Sequence, residues 1–213
     1  GHDFRPAYRR IINLVNLLPK GLPVLATTAT ATKRVEHDVA SQITGELNVI
    51  RGNLLRENFR LYVVNVQSDD DKLIWLAQNI TKLDGTGIIY TGTVVETELI
   101  SKWFEFLNIP ARSYNSRLDA DTRIEVESGL LNNEWKCVIS TNALGMGIDK
   151  PDLRFIIHTQ FPQSPVHYYQ EIGRAGRDGL PTVIVLLYNP EDRDLPEAFI
   201  EGAKPSTAKY QRV

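Results

Sequence analysis

Short apolar runs alternate with helical patterns along this 213-residue chain, and this alternation constrains the fold more than any other feature. The runs are apolar almost throughout, which is typical of strands that are buried on both faces of a parallel sheet. Strands that alternate with helices predict an α/β sheet with right-handed crossovers. We therefore predict a doubly wound, mainly parallel sheet with helices on both faces. The predicted strands span residues 23–26, 61–66, 87–90, 111–114, 137–140, 155–158 and 183–188.

Capping residues mark where the helices between these strands begin. Thr93 followed by Glu96 forms a capping box, and Ser164 followed by Pro165 is an N-cap before the residue favoured at the first helical position. The glycines after residue 172 are expected to end the last helix. Helix starts are predicted after Thr32, at Thr93, at Asp119 or Asp121, and at Ser164. The apolar face of the helix after Thr93 is predicted to be Val95, Leu99, Trp103 and Phe106.

Charge and cysteine content exclude some classes of function. A net charge of −2 and a pI near 6.1 argue against a broad basic surface but leave room for a local groove of Arg and Lys. The single cysteine, Cys137, excludes a disulfide framework and an all-cysteine zinc site within the chain, and no metal site is predicted. We find no signal-peptide pattern and no apolar run of membrane-spanning length, so we expect a cytoplasmic protein without membrane contact.

The segment 170–179, QEIGRAGRDG, places Arg174 and Arg177 among three glycines. Glycine lets the backbone approach a ligand closely, and arginine presents a fork of donors that fits phosphate oxygens. Such an arginine can stabilise the transition state of phosphoryl transfer. The alternative is a solvated surface turn, which the pattern taken alone leaves open.

A second segment, 140–151, starts at the end of the predicted strand 137–140. Thr141 offers a hydroxyl and Asn142 an amide, two glycines follow, and Asp149 and Lys150 form an acid–base pair. Thr141 and backbone amides could hold a phosphate of a nucleic-acid strand, and Asp149 could position an arginine or a water at a nucleotide. The alternative is a glycine-containing loop with a surface ion pair.

Two weaker segments lie nearer the start of the chain. Residues 26–31, ATTATA, combine small side chains and hydroxyls before a predicted helix, but threonine-rich turns in this position are usually caps. Residues 2–5 bring together a histidine, an aromatic ring and an arginine, which could stack on or contact a nucleotide. Without that context Phe4 would be interpreted as an anchor in a core.

Taken together and in this order, these segments resemble the RecQ family of superfamily 2 DNA helicases over residues 1–190. The opening GHDFRP resembles the end of the family's aromatic-rich loop, and ATTATA resembles motif III. The segment that begins at residue 87 resembles motif IV. Residues 138–151 resemble motif V, and residues 170–179 resemble motif VI. The lead-in Gln170-Glu171 is typical of RecQ proteins, whereas DEAD-box RNA helicases more often have His-Arg-Ile-Gly-Arg there. The chain departs from the family's pattern at 91–93 and 115–117, which suggests a divergent branch.

The resemblance implies a RecA-like fold of the P-loop NTPase type and an ATP-dependent 3′-to-5′ DNA helicase that acts in DNA repair and recombination. Arg177 would be the arginine finger, and Arg174 a second γ-phosphate contact or a structural partner. The residues implied at the nucleotide are Gln170, Asp149, Gly147, Arg174 and Arg177. The residues implied at the DNA are His2, Phe4, Arg5, Thr91, Thr93, Thr141, Asn142, Lys150 and Arg154.

The sequence contains no phosphate-binding loop of the form GxxxxGK[ST] and no Asp-Glu-Ala-His box. In the family, both precede the region that this chain resembles. We therefore expect residues 1–51 to end a first RecA-like lobe, 52–60 to be an interlobe linker, 61–195 to be the second lobe, and 196–213 to start a following segment. ATP and Mg²⁺ would bind only with the rest of the first lobe, and the chain alone would not hydrolyse ATP.

The expected partners are single-stranded or duplex DNA and the rest of the helicase chain, with the protein a monomer that is nucleoid-associated if bacterial. Two other interpretations stay open at this point. One is a non-enzymatic module that binds nucleic acid or a partner protein. The other is a motor lobe of a different superfamily 2 helicase that acts on RNA.

Overall fold

The computed structural model describes residues 15, 17–19, 22–28, 33, 36–37, 40, 48–52, 56–144 and 148–193. Contacts within the chain divide it into two compact units, Gly1–Leu55 and Arg56–Val213. The division falls inside the segment 52–60 that we predicted as a linker. Its role as a linker stays a prediction.

In the first unit, the structure confirms one predicted element and contradicts another. Residues 33, 36, 37 and 40 are helical, which confirms at these described positions the helix predicted after Thr32. Residues 22–28 form no strand, so the prediction of a strand at 23–26 is wrong. A strand needs a neighbour to pair its peptide groups, and no described residue of this unit provides one.

Strands and helices alternate through the described part of the second unit, Arg56–Arg193. Its strands are β1 (Phe59–Asn65), β2 (Thr86–Tyr90), β3 (Ala111–Tyr114), β4 (Cys137–Ser140), β5 (Leu153–His158) and β6 (Thr182–Tyr188). Its α-helices are α1 (Asp69–Asn79), α2 (Val94–Phe106), α3 (Ala120–Leu131) and α4 (Pro165–Ile172), with 3₁₀ turns at Ile80–Lys82 and Pro190–Arg193.

The described strands form one parallel sheet in the order β1-β6-β5-β2-β4-β3. This confirms the predicted doubly wound α/β class. The six strands of this unit lie within two residues of the predicted apolar runs. β2 and β4 are buried at every position, and a strand that is buried on both faces is apolar at nearly every position, which is why the sequence located them. The edge strand β1 is largely exposed and the edge strand β3 is buried only at its two ends, so the expectation of burial on both faces is wrong for these two strands.

The core lies on both faces of the sheet. Ile89, Ile139 and Ile157 belong to the cluster that also contains Leu76 of α1 and Phe104 of α2. Their chain neighbours on the other face lie in a second cluster with side chains of α3 and α4. Helices therefore cover both faces, as predicted.

The predicted caps are present. Thr93 Oγ1 accepts from the Glu96 backbone N–H, and the Glu96 side chain accepts from the Thr93 N–H, which completes the capping box of α2. Asp119 caps α3, and Ser164 caps α4 with Pro165 following it. Each cap satisfies backbone donors that the first turn of a helix leaves free.

The predicted apolar face of α2 is wrong. The buried residues are Thr97, Ile100 and Phe104, whereas Phe106 is 76% exposed. Val95 and Leu99 are also exposed, and Trp103 is only partly buried. Both sets follow a helical period, so periodicity alone does not select one, and the packing of α2 on the sheet decides between them.

The helix α1 was not among the sequence predictions. Its N-cap is Ser68, whose side chain accepts from the Asp71 N–H, and its first turn is acidic, which suits the positive end of the helix dipole. Its buried positions, Lys72 and Leu76, give only a weak apolar pattern. No helix in the part of the chain that the structure describes is both long and apolar enough to cross a membrane.

Candidate functional site

The carboxyl ends of the central strands lie side by side. In register, Tyr90 at the end of β2 pairs with Ser140 of β4 and with His158 of β5. The loops that follow these strands therefore start at one edge of the sheet, which is where α/β sheets bind ligands. A pocket of about 150 Å³ lies at this edge. Its lining includes Thr91, Gly92, Thr141, Asn142, Gln160 and Phe161.

The hydroxyls of the loop after β2 are used within the fold. Thr91 is buried, and its Oγ1 donates to the Thr93 carbonyl at 3.1 Å. The Thr93 hydroxyl is committed to Glu96 in the capping box. A contact of Thr91 or Thr93 with DNA stays a prediction.

Gly92 allows this loop to lie against the end of β5. A Cβ atom placed on Gly92 would come within 1.7 Å of the Gln160 side-chain oxygen. The Gln160 Nε2 in turn donates to Glu96 Oε1 at 2.8 Å. Burial raises the pKa of Glu96, and the hydrogen bonds from Thr93 partly offset this effect. The bond between Gln160 and Glu96 thus joins the loop after β5 to the first turn of α2, and neither residue was a sequence-predicted site residue.

The loop after β4 presents Thr141 and Asn142 at the same edge. Asn142 is exposed and Thr141 is partly exposed, so their polar groups can reach a ligand. Leu144 is buried, and its carbonyl accepts from the Tyr90 hydroxyl at 3.3 Å. Gly147 lies outside the described residues, as do the predicted DNA contacts His2, Phe4 and Arg5.

The arginine-bearing turn follows α4 and is anchored by backbone hydrogen bonds. Gly176 has φ +57°, and its N–H donates to the carbonyl of Leu153, the first residue of β5, at 3.0 Å. Its own carbonyl accepts from the Asn58 and Arg56 side chains, each at 2.8 Å. A Cβ atom on Gly176 would come within 2.3 Å of Thr182 Oγ1, so this glycine meets both a conformational and a packing requirement.

The structure brings Arg177 and Asp149 together. Arg177 Nη1 lies 2.5 Å from Asp149 Oδ1, and the side chains are 42% and 81% exposed, respectively. Gln170, also predicted at the nucleotide, is exposed on α4. Arg177 is therefore oriented by a carboxylate while it stays accessible to solvent.

Arg174 lies on the inner side of the same turn, beside Tyr90. Burial raises the pKa of Tyr90 well above its ordinary value, while the charge and hydrogen bond of Arg174 act in the opposite direction. The Arg174 Nε atom is buried and has no hydrogen-bond partner among the described residues. Arg174 thus has a structural contact to the end of β2.

Lys150 and Arg154 lie near the amino end of β5, away from the strand-end pocket. Lys150 is 2% exposed and binds Asp152 at 2.9 Å, which lowers the pKa of that carboxyl. Arg154 binds Asp178 at 2.5 Å. Both cations are used within the fold, and their contact with DNA stays a prediction.

Asn115, at one of the departures from the family's pattern, has a structural role. It is buried, its Nδ2 donates to Thr97 Oγ1 at 3.1 Å, and its Oδ1 accepts from the Arg117 N–H. These bonds join the end of β3 to α2.

Comparison with known proteins identifies the family. Residues 71–179 match the model of the helicase conserved C-terminal domain. The chain is 38% identical over 212 residues to the ATP-dependent DNA helicase RecQ of Bacillus subtilis, covering 99% of this chain and 36% of that protein. It is 37% identical over 199 residues to the mouse bifunctional 3′-5′ exonuclease/ATP-dependent helicase WRN, covering 90% of this chain and 14% of that protein. The chain thus spans well under half the length of these relatives.

Solved structures confirm the fold at lower identity. Yeast Dbp5 bound to RNA and ADP BeF3 superposes with a TM-score of 0.69 at 18% identity, over 91% of this chain and 52% of that chain. Mycobacterium smegmatis helicase Lhr bound to ssDNA and AMP-PNP gives 0.55 at 20% identity, over 63% and 20%. The fold is therefore RecA-like, as the motifs implied. The chain belongs to the family of the helicase conserved C-terminal domain, and it is of the type found in RecQ DNA helicases.

Proposed function

We propose that this chain provides the second RecA-like lobe of an ATP-dependent DNA helicase of RecQ type. In this role it would supply one half of an ATP site and part of a surface that grips single-stranded DNA. The similarity to proteins named ATP-dependent DNA helicases supports the proposal. The single observation that carries it is the anchored turn that holds Arg177 accessible beside Asp149.

The donor groups of the turn fit a phosphate. Arg177 presents an accessible guanidinium whose fork of N–H groups matches phosphate oxygens, and it would stabilise the charge of the transferring phosphoryl group. Arg174 would hold the turn or add a second contact. Mg²⁺ would accompany ATP and would be held, with the phosphates, by the first lobe.

The strand-end pocket would contribute the DNA contacts. Thr141 and Asn142 are accessible polar groups of this edge, and they would bind the sugar–phosphate backbone without reading sequence. Closure on ATP and opening after hydrolysis would then move this edge relative to a second grip on the first lobe, with residues 52–60 as the hinge.

The test is ATP turnover of the full-length protein in the presence of single-stranded DNA. Arg177→Ala should lower kcat by about 10³-fold or more, and Arg177→Lys should restore little, because lysine lacks the planar fork. Arg112→Ala is the matched control, since Arg112 stacks over Trp135 at 4.2 Å outside the site. Full turnover by Arg177→Ala would reject the proposal.

Two further measurements bound the proposal. The purified chain alone should release no phosphate from ATP in a malachite-green assay, and clear turnover would contradict the need for a first lobe. Competition between single-stranded DNA and RNA, at a stated salt concentration, should favour DNA. A preference for RNA would instead assign the lobe to an RNA helicase.

A further inference from the structure

A closed ring of contacts joins the sheet to the arginine turn, with Tyr90 and His158 buried and Glu171 and Arg174 partly buried. His158 is the last residue of β5 and is 2% exposed. Its Nε2 lies 2.8 Å from Oε2 of Glu171, which is on α4 one residue before the end of that helix. This contact joins the sheet to the helix that carries the two arginines.

The imidazole of His158 is held in place from two sides. Tyr90 stacks on it with ring centroids 5.3 Å apart and an interplanar angle of 25°. Tyr168 of α4 packs against it at 5.0 Å in a tilted geometry. A ring packed in this way has little freedom to rotate, so the direction of its Nε2 is fixed.

The environment of the imidazole favours one tautomer of His158. The Nδ1 atom is buried and has no partner among the described residues. A proton on Nε2 donates to the Glu171 carboxylate and leaves Nδ1 as an unpaired acceptor, whereas a second proton on Nδ1 would be a buried donor without an acceptor among those residues. The arrangement therefore suits a tautomer whose Nε2 proton is donated to Glu171.

The other half of the ring passes through Tyr90 and Arg174. Burial raises the pKa of Tyr90, and the nearby charge of Arg174 acts against that rise. The Tyr90 hydroxyl donates to the Leu144 carbonyl at 3.3 Å. The Arg174 N–H donates to the Glu171 carbonyl at 3.2 Å, which closes the ring. The His158–Glu171 contact, the Tyr90–His158 stack and the Arg174–Glu171 backbone bond thus connect β2, β5 and α4 to Arg174, which follows α4.

We propose that His158, Glu171 and Tyr90 are positioning residues for Arg174 and Arg177, an inference that rests on the function proposed above. The His158–Glu171 bond fixes the end of α4 on the sheet, and Tyr90 fixes the guanidinium of Arg174. Arg177 follows on the same turn. Thr91 follows Tyr90 and Thr159 follows His158, and each threonine begins the loop at the carboxyl end of its strand. The ring of contacts therefore also joins the strand-end pocket to the arginine turn.

The test compares variants that each remove one link. Tyr90→Phe keeps the stack on His158 and removes only the hydroxyl, while Glu171→Ala removes the acceptor of His158. Glu171→Gln keeps an acceptor oxygen and is the rescue variant. Glu125→Ala, on the exposed side of α3, is the matched control. Each is measured in the full-length protein for kcat, KM for ATP and thermal stability.

We expect Tyr90→Phe and Glu171→Ala to lower kcat by about 10-fold to 100-fold, because a misplacement of about 1 Å in a catalytic group costs on that order. KM for ATP should change little, and Glu171→Gln should recover most of the loss. Glu125→Ala should match the unmodified protein. If the residues had only a structural role, their substitution would lower the melting temperature and leave kcat per folded molecule unchanged. This result would overturn the proposal.

A double-mutant cycle separates the inference from the function on which it rests. In a background that carries both Arg174→Ala and Arg177→Ala, Glu171→Ala should cause no further loss of kcat, since both groups that it positions are gone. Additive losses would overturn the positioning role of Glu171. If Arg174→Ala and Arg177→Ala themselves leave turnover intact, the proposed function fails. If they lower turnover while Tyr90→Phe and Glu171→Ala do not, only the positioning inference fails.

Discussion

Arg177 Nη1 lies 2.5 Å from Asp149 Oδ1, although the two residues are 28 positions apart in the sequence. Exposed pairs of this kind contribute little to stability, because water screens the charges and two mobile side chains must be ordered. The pair therefore matters for the direction in which Arg177 points. The ion pair between Asp152 and the buried Lys150 should contribute more to the free energy of unfolding than the exposed pair.

Asp149→Asn should change the free energy of unfolding by less than about 0.5 kcal/mol. Asp152→Asn should cost more, about 1–3 kcal/mol, because it removes the anionic partner of the buried Lys150 ammonium. Urea denaturation of the two variants of this chain checks the difference. Equal stabilities would show that Lys150 finds another partner.

Gly92→Ala should destabilise the chain by about 1 kcal/mol, the worth of a hydrogen bond. The new methyl group would overlap the Gln160 side chain, which would have to leave its bond to Glu96. Thermal unfolding followed by circular dichroism measures the effect. Gly52→Ala is the control, since nothing lies within 4 Å of a Cβ atom there. If the two variants melt together, the contact between Gly92 and Gln160 does not constrain the loop.

Phe104→Ala and Phe106→Ala test which face of α2 is buried. Phe104 is fully buried, so its loss should cost about 3–5 kcal/mol in unfolding free energy. Phe106 is exposed and stacks on Trp103, so its loss should stay within about 0.5 kcal/mol. Urea denaturation distinguishes them, and the reverse order of costs would restore the face that the sequence predicted.

Acid should weaken the contact between β5 and the turn before β6. The hydrogen bond from Arg154 holds the pKa of Asp178 below its ordinary value. The folded pKa is lower than the unfolded value of about 3.9, so the carboxylate adds stability above that pH and loses it as the pH falls through the folded pKa.

We therefore expect Asp178→Asn to be less stable than the unmodified chain at pH 6, and the difference to shrink at pH 3. Urea denaturation at both pH values measures this, with Glu125→Gln on α3 as the control. A difference that is the same at both pH values would show that the charge of Asp178 is not its cause.

Much of the fold followed from local patterns. Strands such as β4 and β6 are apolar at every position but one, and Thr93, Asp119 and Ser164 cap helices where the sequence predicted them. Helix α1 escaped prediction because its buried positions include Lys72, a residue type that rarely marks a core. Lys72 is buried because Asp69 and Asp192 pair with it, and the second of these is 120 positions away.

The sequence also identified Arg174, Arg177 and Asp149 as candidate site residues, because arginines among closely spaced glycines are typical of a turn that binds phosphate. It did not identify His158, Glu171 or Tyr90 as parts of the site. A histidine at the end of an apolar strand and a tyrosine at the end of another give no local signal of a shared role.

By itself, then, the sequence determined the class of sheet, the ends of most helices and the family, since these depend on side-chain type and spacing along the chain. Only the tertiary structure decided which stripe of α2 is buried, that Lys150 and Arg154 are used internally, and that residues of β2, β5 and α4 form a ring of contacts with Arg174. Those outcomes depend on contacts between residues far apart in the chain. Their partners are chosen by strand order and register, which no local pattern specifies.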